Sequence, residues 1–300
     1  MRRTKSKSKQ LDEYRLFKKL DGYAKSVSEG KIRKGNYFSL CVRAAFVKCY
    51  EFNFHAWDEK NSATAFFWLP TLRGICEDLI VLNYIQLIPK IDREPLILDL
   101  MMHEVQDRTK IQETFFKKTR PQQPCLAPNA SAEQLADLEN RVRQVWRAHG
   151  WSNMTKNVRP PTRQIAEKHG GEVLAVLYDY LYRLTSDTVH FSVRGLLRMG
   201  WGNLPHSKFS TTNLNMYYVT FVRIYGAFMF CSYFELLFRF LRPDKKTKLL
   251  VGEIRQSILK RPRWPEMITF EEMNVSPPKI SVMQIALSLM QSETKKYLLK

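Results

Sequence analysis

Cysteine is scarce in this 300-residue chain, and the five cysteines that occur are odd in number and scattered. No two of them stand at the C-x-x-C spacing of a zinc or redox site, and an odd set does not suit a framework of disulfides. The sequence therefore argues against both a disulfide-stapled fold and a structural zinc site. A reducing, cytoplasmic setting fits this usage best.

Long hydrophobic runs are also missing. The most apolar stretch, residues 216–241, is interrupted by Arg223, Glu235 and Arg239, and its longest uncharged run covers only residues 224–234. A helix that spans a bilayer needs about 20 apolar residues, so we expect a buried helix in a soluble protein. The first ten residues are basic but lead into LDEYRLFKKL rather than an apolar core, so they do not resemble a secretory signal.

Turn-forming residues are few, with 12 glycines and 14 prolines, which argues against a β-sandwich or barrel. Apolar residues recur with helical periodicity and no convincing alternating run is present, so the sequence predicts an all-α, multi-helix bundle. Pro70 is expected to kink or break one helix, with Thr71 capping its second half, and Ser131 is expected to cap another. The predicted helices cover residues 11–28, 37–57, 61–88, 92–118, 132–149, 162–169, 172–199, 213–241, 245–260 and 281–299.

Known catalytic templates are absent as well. The sequence contains no P-loop, no G-x-G-x-x-G, no G-x-S-x-G and no H-E-x-x-H. Its acidic residues do not cluster as a two-metal nuclease would require. We therefore predict neither a cofactor nor a metal ion.

What the chain does have is positive charge, with 48 Lys and Arg against 29 Asp and Glu, a net charge of +19 and a pI near 9.7. Residues 1–34 hold 12 basic and 4 acidic residues, and residues 242–300 hold 12 and 6. We divide the chain into a basic N-terminal extension (1–34), a helical core (35–241) and a basic helical C-terminal extension (242–300). The expected partner is a polyanion, nucleic acid first and an acidic membrane surface second.

The N-terminal extension begins with a patch of cations that has no acidic counterweight. Such a patch favours sequence-independent contact with phosphates, although charge runs are often only solvated surface. Binding of helix 11–28 to a membrane surface is a weaker interpretation because the helix has no Trp. The patch consists of Arg2, Arg3, Lys5, Lys7 and Lys9.

Two predicted helices carry charges where apolar residues would be expected. Arg73 and Glu77 lie four residues apart on the very apolar helix LRGICEDLIVL, so they form either a structural ion pair or part of a site. The second helix carries Arg183, Ser186, Asp187, His190 and Arg194 along the flank of one apolar stripe. The adjoining Cys76 is interpreted as a core thiol.

The side chains on the second of these helices include the groups that cleavage of a phosphodiester requires. A histidine can transfer a proton near neutral pH, and arginines can hold a phosphate or stabilise the charge that develops on it. We expect Arg73 and Glu77 to meet Arg183, Asp187 and His190 across a central helix pair.

At these residues the chain resembles an uncharacterised, mainly bacterial helical family, the domain of unknown function 5677. The resemblance covers residues 37–241 and rests on LRGICEDLIVLNYI, the loop residue Trp151, PPTRQIAEKHG and YDYLYRLTSDTVHFS, in that order. The features of this family are an Arg-x-x-x-Glu helix and a Tyr-Arg-x-x-Ser-x-x-x-His helix. Here the first motif is Arg73 and Glu77, and the second is Tyr182, Arg183, Ser186 and His190. The resemblance implies no established activity.

A more distant similarity is to HEPN domains, helical bundles of which many are ribonucleases. Their signature is an Arg followed after four to six residues by a His, which Arg183 and His190 match, with Leu184 where active members commonly have a polar residue. The resemblance implies metal-independent attack of the RNA 2′-hydroxyl on its own phosphate, at a site often shared by two subunits. It also implies a role as a toxin or in antiphage defence.

The leading hypothesis is thus a nucleic-acid-directed effector, a metal-independent HEPN-like ribonuclease that prefers RNA to DNA. His190 would be the general acid and base, Arg183 and Arg194 the phosphate clamps, and Glu77 would orient Arg183 or Arg73. The alternative is a non-catalytic subunit that binds nucleic acid or a partner complex, in which the polar seam is a structural network. A homodimer and a partner protein both stay open.

Overall fold

In a computed structural model of the chain, the described residues are 7–31, 33–123, 131–152, 154, 157–199 and 209–268. Every regular element within them is a helix, which confirms the all-α prediction. The predicted helix 281–299 lies outside the described residues. The helices are α1 (Lys7–Lys19), α2 (Asp21–Glu29), α3 (Tyr37–Trp57), α4 (Ala65–Ile85), α5 (Lys90–Thr119), α6 (Ala132–Ala148), α7 (Thr162–His169), α8 (Gly171–Val189), α9 (Val193–Met199), α10 (Asn215–Leu236), α11 (Phe238–Leu241) and α12 (Lys245–Leu259).

The chain forms two compact units. The first consists of Met1–Gly30, Arg43–Leu79 and Val173–Lys300, and the second of Lys31–Val42 and Ile80–Glu172. The division at residues 34 and 241 that the charge pattern suggested stays a prediction.

The core of the first unit is built around α10, which is apolar on all sides and therefore has no face suited to water. Phe230 of α10 packs within 5.1 Å of Phe17 and 5.7 Å of Phe46, measured between ring centroids. Arg223, the charge inside this helix, donates from Nε to the carbonyl of Ala56 at 2.7 Å. Among the described helices, α10 alone is long and apolar enough to cross a membrane, but 78% of its most apolar window is buried in the protein.

The core of the second unit lies where α5 packs against α6. Val142 and Trp146 of α6 are fully buried, and Tyr84 stacks on Trp146 with 5.9 Å between ring centroids. At the edge of this contact, the guanidinium of Arg141 donates two hydrogen bonds of 3.0 and 3.1 Å to the carboxylate of Asp99. The forked ion pair thus joins α5 to α6, while the ring contact joins α6 to the C-terminal part of α4.

The start of α6 is the capping box that its sequence predicts. Ser131 Oγ accepts from the Gln134 backbone N–H at 3.2 Å, and Gln134 Oε1 accepts from the Ser131 N–H at 2.8 Å. These two bonds satisfy donors that the first helical turn would otherwise leave unpaired.

Replacing Ser131 by alanine is expected to lower the free energy of unfolding by about 1 kcal/mol, because the cap loses its acceptor. Urea denaturation of the full chain measures this loss. Ser28→Ala is the matched control, since Ser28 is exposed and donates only to the Lys25 carbonyl inside α2. Equal stability of the two variants would contradict the importance of the cap.

Two helix predictions are wrong near their middles. Pro70 does not break the helix that contains it, and Thr71 is not an N-cap, because α4 runs continuously through both. Proline removes one backbone hydrogen bond here, but Leu69 and Leu72 on either side are fully buried and hold the helix in place. The single helix predicted over residues 11–28 is divided into α1 and α2.

The helix predicted over residues 172–199 is also wrong as one element, since α8 ends at Val189 and α9 begins at Val193. Ser192 explains the break, because its Oγ accepts from the Gly195 backbone N–H at 3.1 Å and so caps a new helix. The predicted helix 213–241 is likewise divided into α10 and the short α11.

The cysteines within the described residues are free thiols, three buried and one partly buried. Cys76 is 1% exposed, and burial together with the charge of Glu77 raises its pKa to about 12. The interpretation of Cys76 as a core thiol is therefore confirmed. Cys125 lies outside the described residues.

Candidate functional site

The predicted site residues with described side chains all belong to the first unit, on α4, α8 and α9. They do not form one cluster. The structure arranges them as a partly buried ion pair on α4, a hydrogen-bonded corner between α8 and α9, and two exposed side chains, Arg183 on α8 and His190 directly after it.

The cation of the partly buried pair is Arg73. Its Nε donates to Glu77 Oε1 at 2.9 Å, and its guanidinium carbon lies 4.0 Å from the centroid of the Tyr182 ring on α8. About a quarter of each charged side chain is exposed, 21% for Arg73 and 28% for Glu77. This arrangement satisfies a charge on an apolar helix by an i,i+4 carboxylate and an aromatic face.

The electrostatics of this contact keep the guanidinium charged. Burial lowers the pKa of Arg73, but the hydrogen bond and the charge of Glu77 outweigh that effect and raise the pKa overall. Burial, aided by the charge of Glu77, also raises the pKa of the neighbouring Tyr178 to about 12, so its hydroxyl stays protonated at neutral pH. Arg73 therefore acts as a permanent cation that joins α4 to α8.

The residues Asp187–Gly195 form what we call the α8–α9 corner. Asp187 Oδ1 accepts from Ser192 Oγ at 2.9 Å, and Oδ2 accepts from Arg194 Nη1 at 2.8 Å. Arg194 Nη2 in turn donates to the carbonyl of Met267 at 2.6 Å. Both oxygens of Asp187 are thus used to hold the start of α9 against the end of α8.

Gly195 lets the two helices approach this closely. A Cβ atom on Gly195 would lie 2.3 Å from the carbonyl oxygen of Asp187, a distance that no side chain tolerates. The contact is with backbone rather than with a flexible side chain, so an added methyl group can be accommodated only if α9 moves.

We expect Gly195→Ala to destabilise the protein by about 1 to 3 kcal/mol, because the clash displaces α9 and strains the bonds of Asp187. The matched control is Gly252→Ala in the middle of α12, where an added Cβ has no neighbour within 4 Å. Alanine is the better helix former, so this control is expected to stabilise by up to about 1 kcal/mol. Thermal unfolding of both variants measures the difference in sign, and a stabilised Gly195→Ala would contradict the tight corner.

Arg183 and His190 differ from the other predicted site residues because both are exposed. Within the described part of the chain, neither side chain makes a hydrogen bond or an ion pair. The His190 backbone N–H donates to the Ser186 carbonyl at 2.9 Å, so the last turn of α8 positions His190. Seven residues are about two helical turns, which places the two side chains on one face, roughly 10 Å apart along the axis.

The predicted meeting of Arg73 and Glu77 with Arg183, Asp187 and His190 is not what the described residues show. The ring of Tyr182 takes the place expected for those charges, because it covers the face of the Arg73 guanidinium. Arg194 does not continue the α8 seam either, since it belongs to α9 and reaches Asp187 from there. Ser186 donates its hydroxyl to the Tyr182 carbonyl at 2.6 Å and so bonds within its own helix.

Sequence reasoning missed three residues of this region: Ser192, Gly195 and Met267. The first two had a detectable signal, since a serine three residues before a glycine is compatible with a helix N-cap. Met267 contributes only its backbone carbonyl, and no sequence pattern marks such an acceptor.

The predicted basic patch is described only in part. Arg2, Arg3 and Lys5 lie outside the described residues, while Lys7 and Lys9 belong to the first turn of α1. Elsewhere in the described residues, no group of three His, Cys, Asp or Glu side chains is placed to hold a metal ion.

Comparison with known proteins gives one match. Residues 68–203 match the model of a family of unknown function, DUF5677, which confirms the resemblance read from the sequence. The matched segment contains most of α4 and all of α8 and α9, and thus every part of the candidate site except Met267. No curated protein and no solved structure matches the chain. The more distant HEPN resemblance stays a prediction.

Proposed function

Because the family whose model matches residues 68–203 is one of unknown function, we propose a function from the chemistry of the exposed side chains. The protein is a nucleic-acid-directed effector that cleaves RNA without a metal ion, as a HEPN-like ribonuclease would. His190 is the catalytic residue, and Arg183 binds the reacting phosphate.

The observation that carries this proposal is the exposure of Arg183 and His190 without partners in the described structure. A histidine kept for structure is buried, with both ring nitrogens hydrogen-bonded, as buried polar groups generally are. His190 is instead exposed at the end of a helix, and the α8–α9 corner fixes the backbone around it. A reactive group that must reach a substrate needs this combination of a free side chain and a fixed backbone.

The reaction follows from the chemistry of these two groups. The RNA 2′-oxygen attacks the adjacent phosphorus while the neutral imidazole of His190 accepts the proton of that hydroxyl. The bond from phosphorus to the 5′-oxygen of the next nucleotide breaks, and this oxygen takes a proton from the imidazolium or from water. The products are a 2′,3′-cyclic phosphate and a 5′-hydroxyl, and the Arg183 guanidinium stabilises the charge on the phosphoryl oxygens.

The remaining predicted site residues act through position rather than contact with RNA. Asp187 and Arg194 neutralise one another and hold the α8–α9 corner, while Arg73 and Glu77 join α4 to α8. The basic ends of the chain supply affinity that does not depend on sequence. An intracellular toxin or antiphage effector is the biological role that fits such an activity.

The second candidate is a non-catalytic subunit that binds nucleic acid or a partner complex. One observation favours it: four of the charges predicted for the site form two ion pairs, Arg73 with Glu77 and Arg194 with Asp187. A polar network of this kind also suits a structural role.

Incubation of the full-length chain with end-labelled total RNA in EDTA, beside DNA of equal concentration, distinguishes the two functions. We expect the RNA to be cut and the DNA to stay intact, because only RNA has the attacking 2′-hydroxyl. Intact RNA, bound in a salt-sensitive manner, would contradict the ribonuclease and favour the binding subunit.

A further inference from the structure

We propose that Phe191 is a platform on which an unpaired base of the substrate stacks, so that the protein acts on single-stranded RNA. This inference rests on the proposed function, since it names the substrate class of the same site. It begins from exposure: at 85%, Phe191 is the most exposed of the large apolar side chains in the described residues. Neighbouring apolar side chains that are exposed together mark a binding surface, and Val189, Val193 and Leu196 close to Phe191 in the chain are exposed as well.

The position of Phe191 is fixed by the corner that contains it. The residue before it, His190, is bonded through its N–H to α8, and the residue after it, Ser192, is bonded to both Asp187 and the Gly195 N–H. The residues on both sides of Phe191 are thus tied to the helices that flank the corner, and α9 approaches α8 so closely at Gly195 that an added Cβ would lie 2.3 Å from the Asp187 carbonyl oxygen. The ring of Phe191 is therefore presented to solvent by a rigid backbone rather than by a loose loop.

The charges around this ring fit a nucleotide. Arg183 is exposed about two turns before Phe191 on α8, and His190 is exposed directly after the end of α8, whereas the carboxylate of Asp187 is taken by Arg194 and Ser192. An aromatic face near an arginine without an acidic partner is an arrangement that binds a base and its phosphate together.

A second copy of the chain suits this surface less well. Val189, Val193 and Leu196 around Phe191 are each about half exposed and provide apolar area. Docking of two copies through this area would, however, bring together two chains that each carry a net charge of +19. An RNA strand brings the negative charge that the surface lacks.

Stacking on Phe191 requires RNA whose bases are unpaired. In a duplex the bases are stacked on one another and paired, so their faces are not available to a protein side chain. Only a base in a single strand, loop or bulge can lie flat against Phe191. The phosphate beside that base then lies close to Arg183 and His190.

Binding of labelled single-stranded RNA and of its duplex to the His190→Ala chain, in which cleavage is expected to be slow, tests the platform by fluorescence anisotropy. We expect Phe191→Ala in this background to weaken single-strand binding about 5- to 100-fold and Phe191→Trp to retain it, with duplex binding unchanged by either. Phe67→Ala is the matched control, since Phe67 is also exposed, at 61%, on α4 of the same unit. Single-strand binding that Phe191→Ala leaves unaltered, or that the parent chain lacks, would overturn the proposal.

Two further outcomes distinguish the base-stacking proposal from the proposed ribonuclease activity and from a dimer interface. Loss of single-strand binding in Phe191→Ala, with no cleavage by the wild-type chain, would support the platform and contradict only the catalysis. Sedimentation of the same proteins tests the second copy, and a dimer that Phe191→Ala dissociates while RNA binding persists would overturn the platform in favour of an interface between chains.

Discussion

His190→Ala is expected to lower the rate of RNA cleavage by about 100- to 10,000-fold, the range by which general acid and base groups accelerate reactions. The variant loses the only proton acceptor that the proposal places at the scissile phosphate, and the 2′-hydroxyl must then react unaided. Initial rates on a defined single-stranded RNA, at enzyme concentrations well above its dissociation constant, measure the chemical step rather than binding.

The matched control for this variant is His55→Ala. His55 is also an exposed histidine of the first unit, but it lies on α3, near Trp68 and away from the α8–α9 corner. We expect its cleavage rate to equal that of the wild type, and both variants to unfold at the wild-type temperature because neither side chain is buried. Cleavage by His190→Ala at the wild-type rate would place the active group elsewhere.

Glu13→Ala is expected to cause the largest loss of stability, about 3 kcal/mol or more. Glu13 is 1% exposed, and its Oε1 accepts from Ser257 Oγ at 2.6 Å and from Arg261 Nη2 at 2.7 Å. These bonds join α1 to α12 and to the residue after its C-terminal cap. Removal of one partner of a buried ion pair leaves the other without compensation, and such losses are about 3 to 5 kcal/mol.

Denaturant unfolding of Glu13→Ala and of Glu29→Ala measures this effect against a control. Glu29 also pairs with a cation, Lys25, but at 3.9 Å and with about two thirds of each side chain exposed. Solvent screens such a pair, so its loss leaves the free energy of unfolding nearly unchanged. Equal stability of the two variants would contradict the prediction that the buried carboxylate of Glu13 anchors α1.

The parts of the fold that the sequence predicts well are those with local causes. The helices Tyr37–Trp57 and Thr162–His169 have the predicted bounds, and Ser131 caps α6 as its spacing with Gln134 indicates. Periodicity predicts the first two helices and the capping box predicts the start of the third, and these signals act over a few residues.

The misplaced helix ends arise where local signals compete. Val189 and Val193 continue the helical spacing of α8, and this periodicity conceals the cap formed by Ser192 between them. At Pro70 the local signal predicts a break where none occurs. Buried neighbours on both sides keep α4 continuous. Tertiary packing decides such cases, and it is not visible in a window of sequence.

In the candidate site, too, local contacts could be predicted from the sequence and contacts between distant residues could not. The pairing of Arg73 with Glu77 follows from their spacing of four residues, one of the two interpretations open from the sequence. The stacking of Arg73 on Tyr182 and the bond from Arg194 to the Met267 carbonyl join residues far apart in the chain, so no local pattern predicts them. The exposure of His190 also depends on where α8 ends. The sequence predicts a helix that continues to residue 199, ten residues beyond the observed end at Val189.

The chemical identity of the RNA ends tests the central claim most directly. Mass spectrometry of fragments from a defined single-stranded RNA, cut by the wild-type chain in EDTA, reads both ends of the broken bond. Attack by the 2′-hydroxyl with His190 as proton acceptor predicts 2′,3′-cyclic phosphate and 5′-hydroxyl ends. Fragments with 3′-hydroxyl and 5′-phosphate ends would show attack by water instead and would contradict the mechanism.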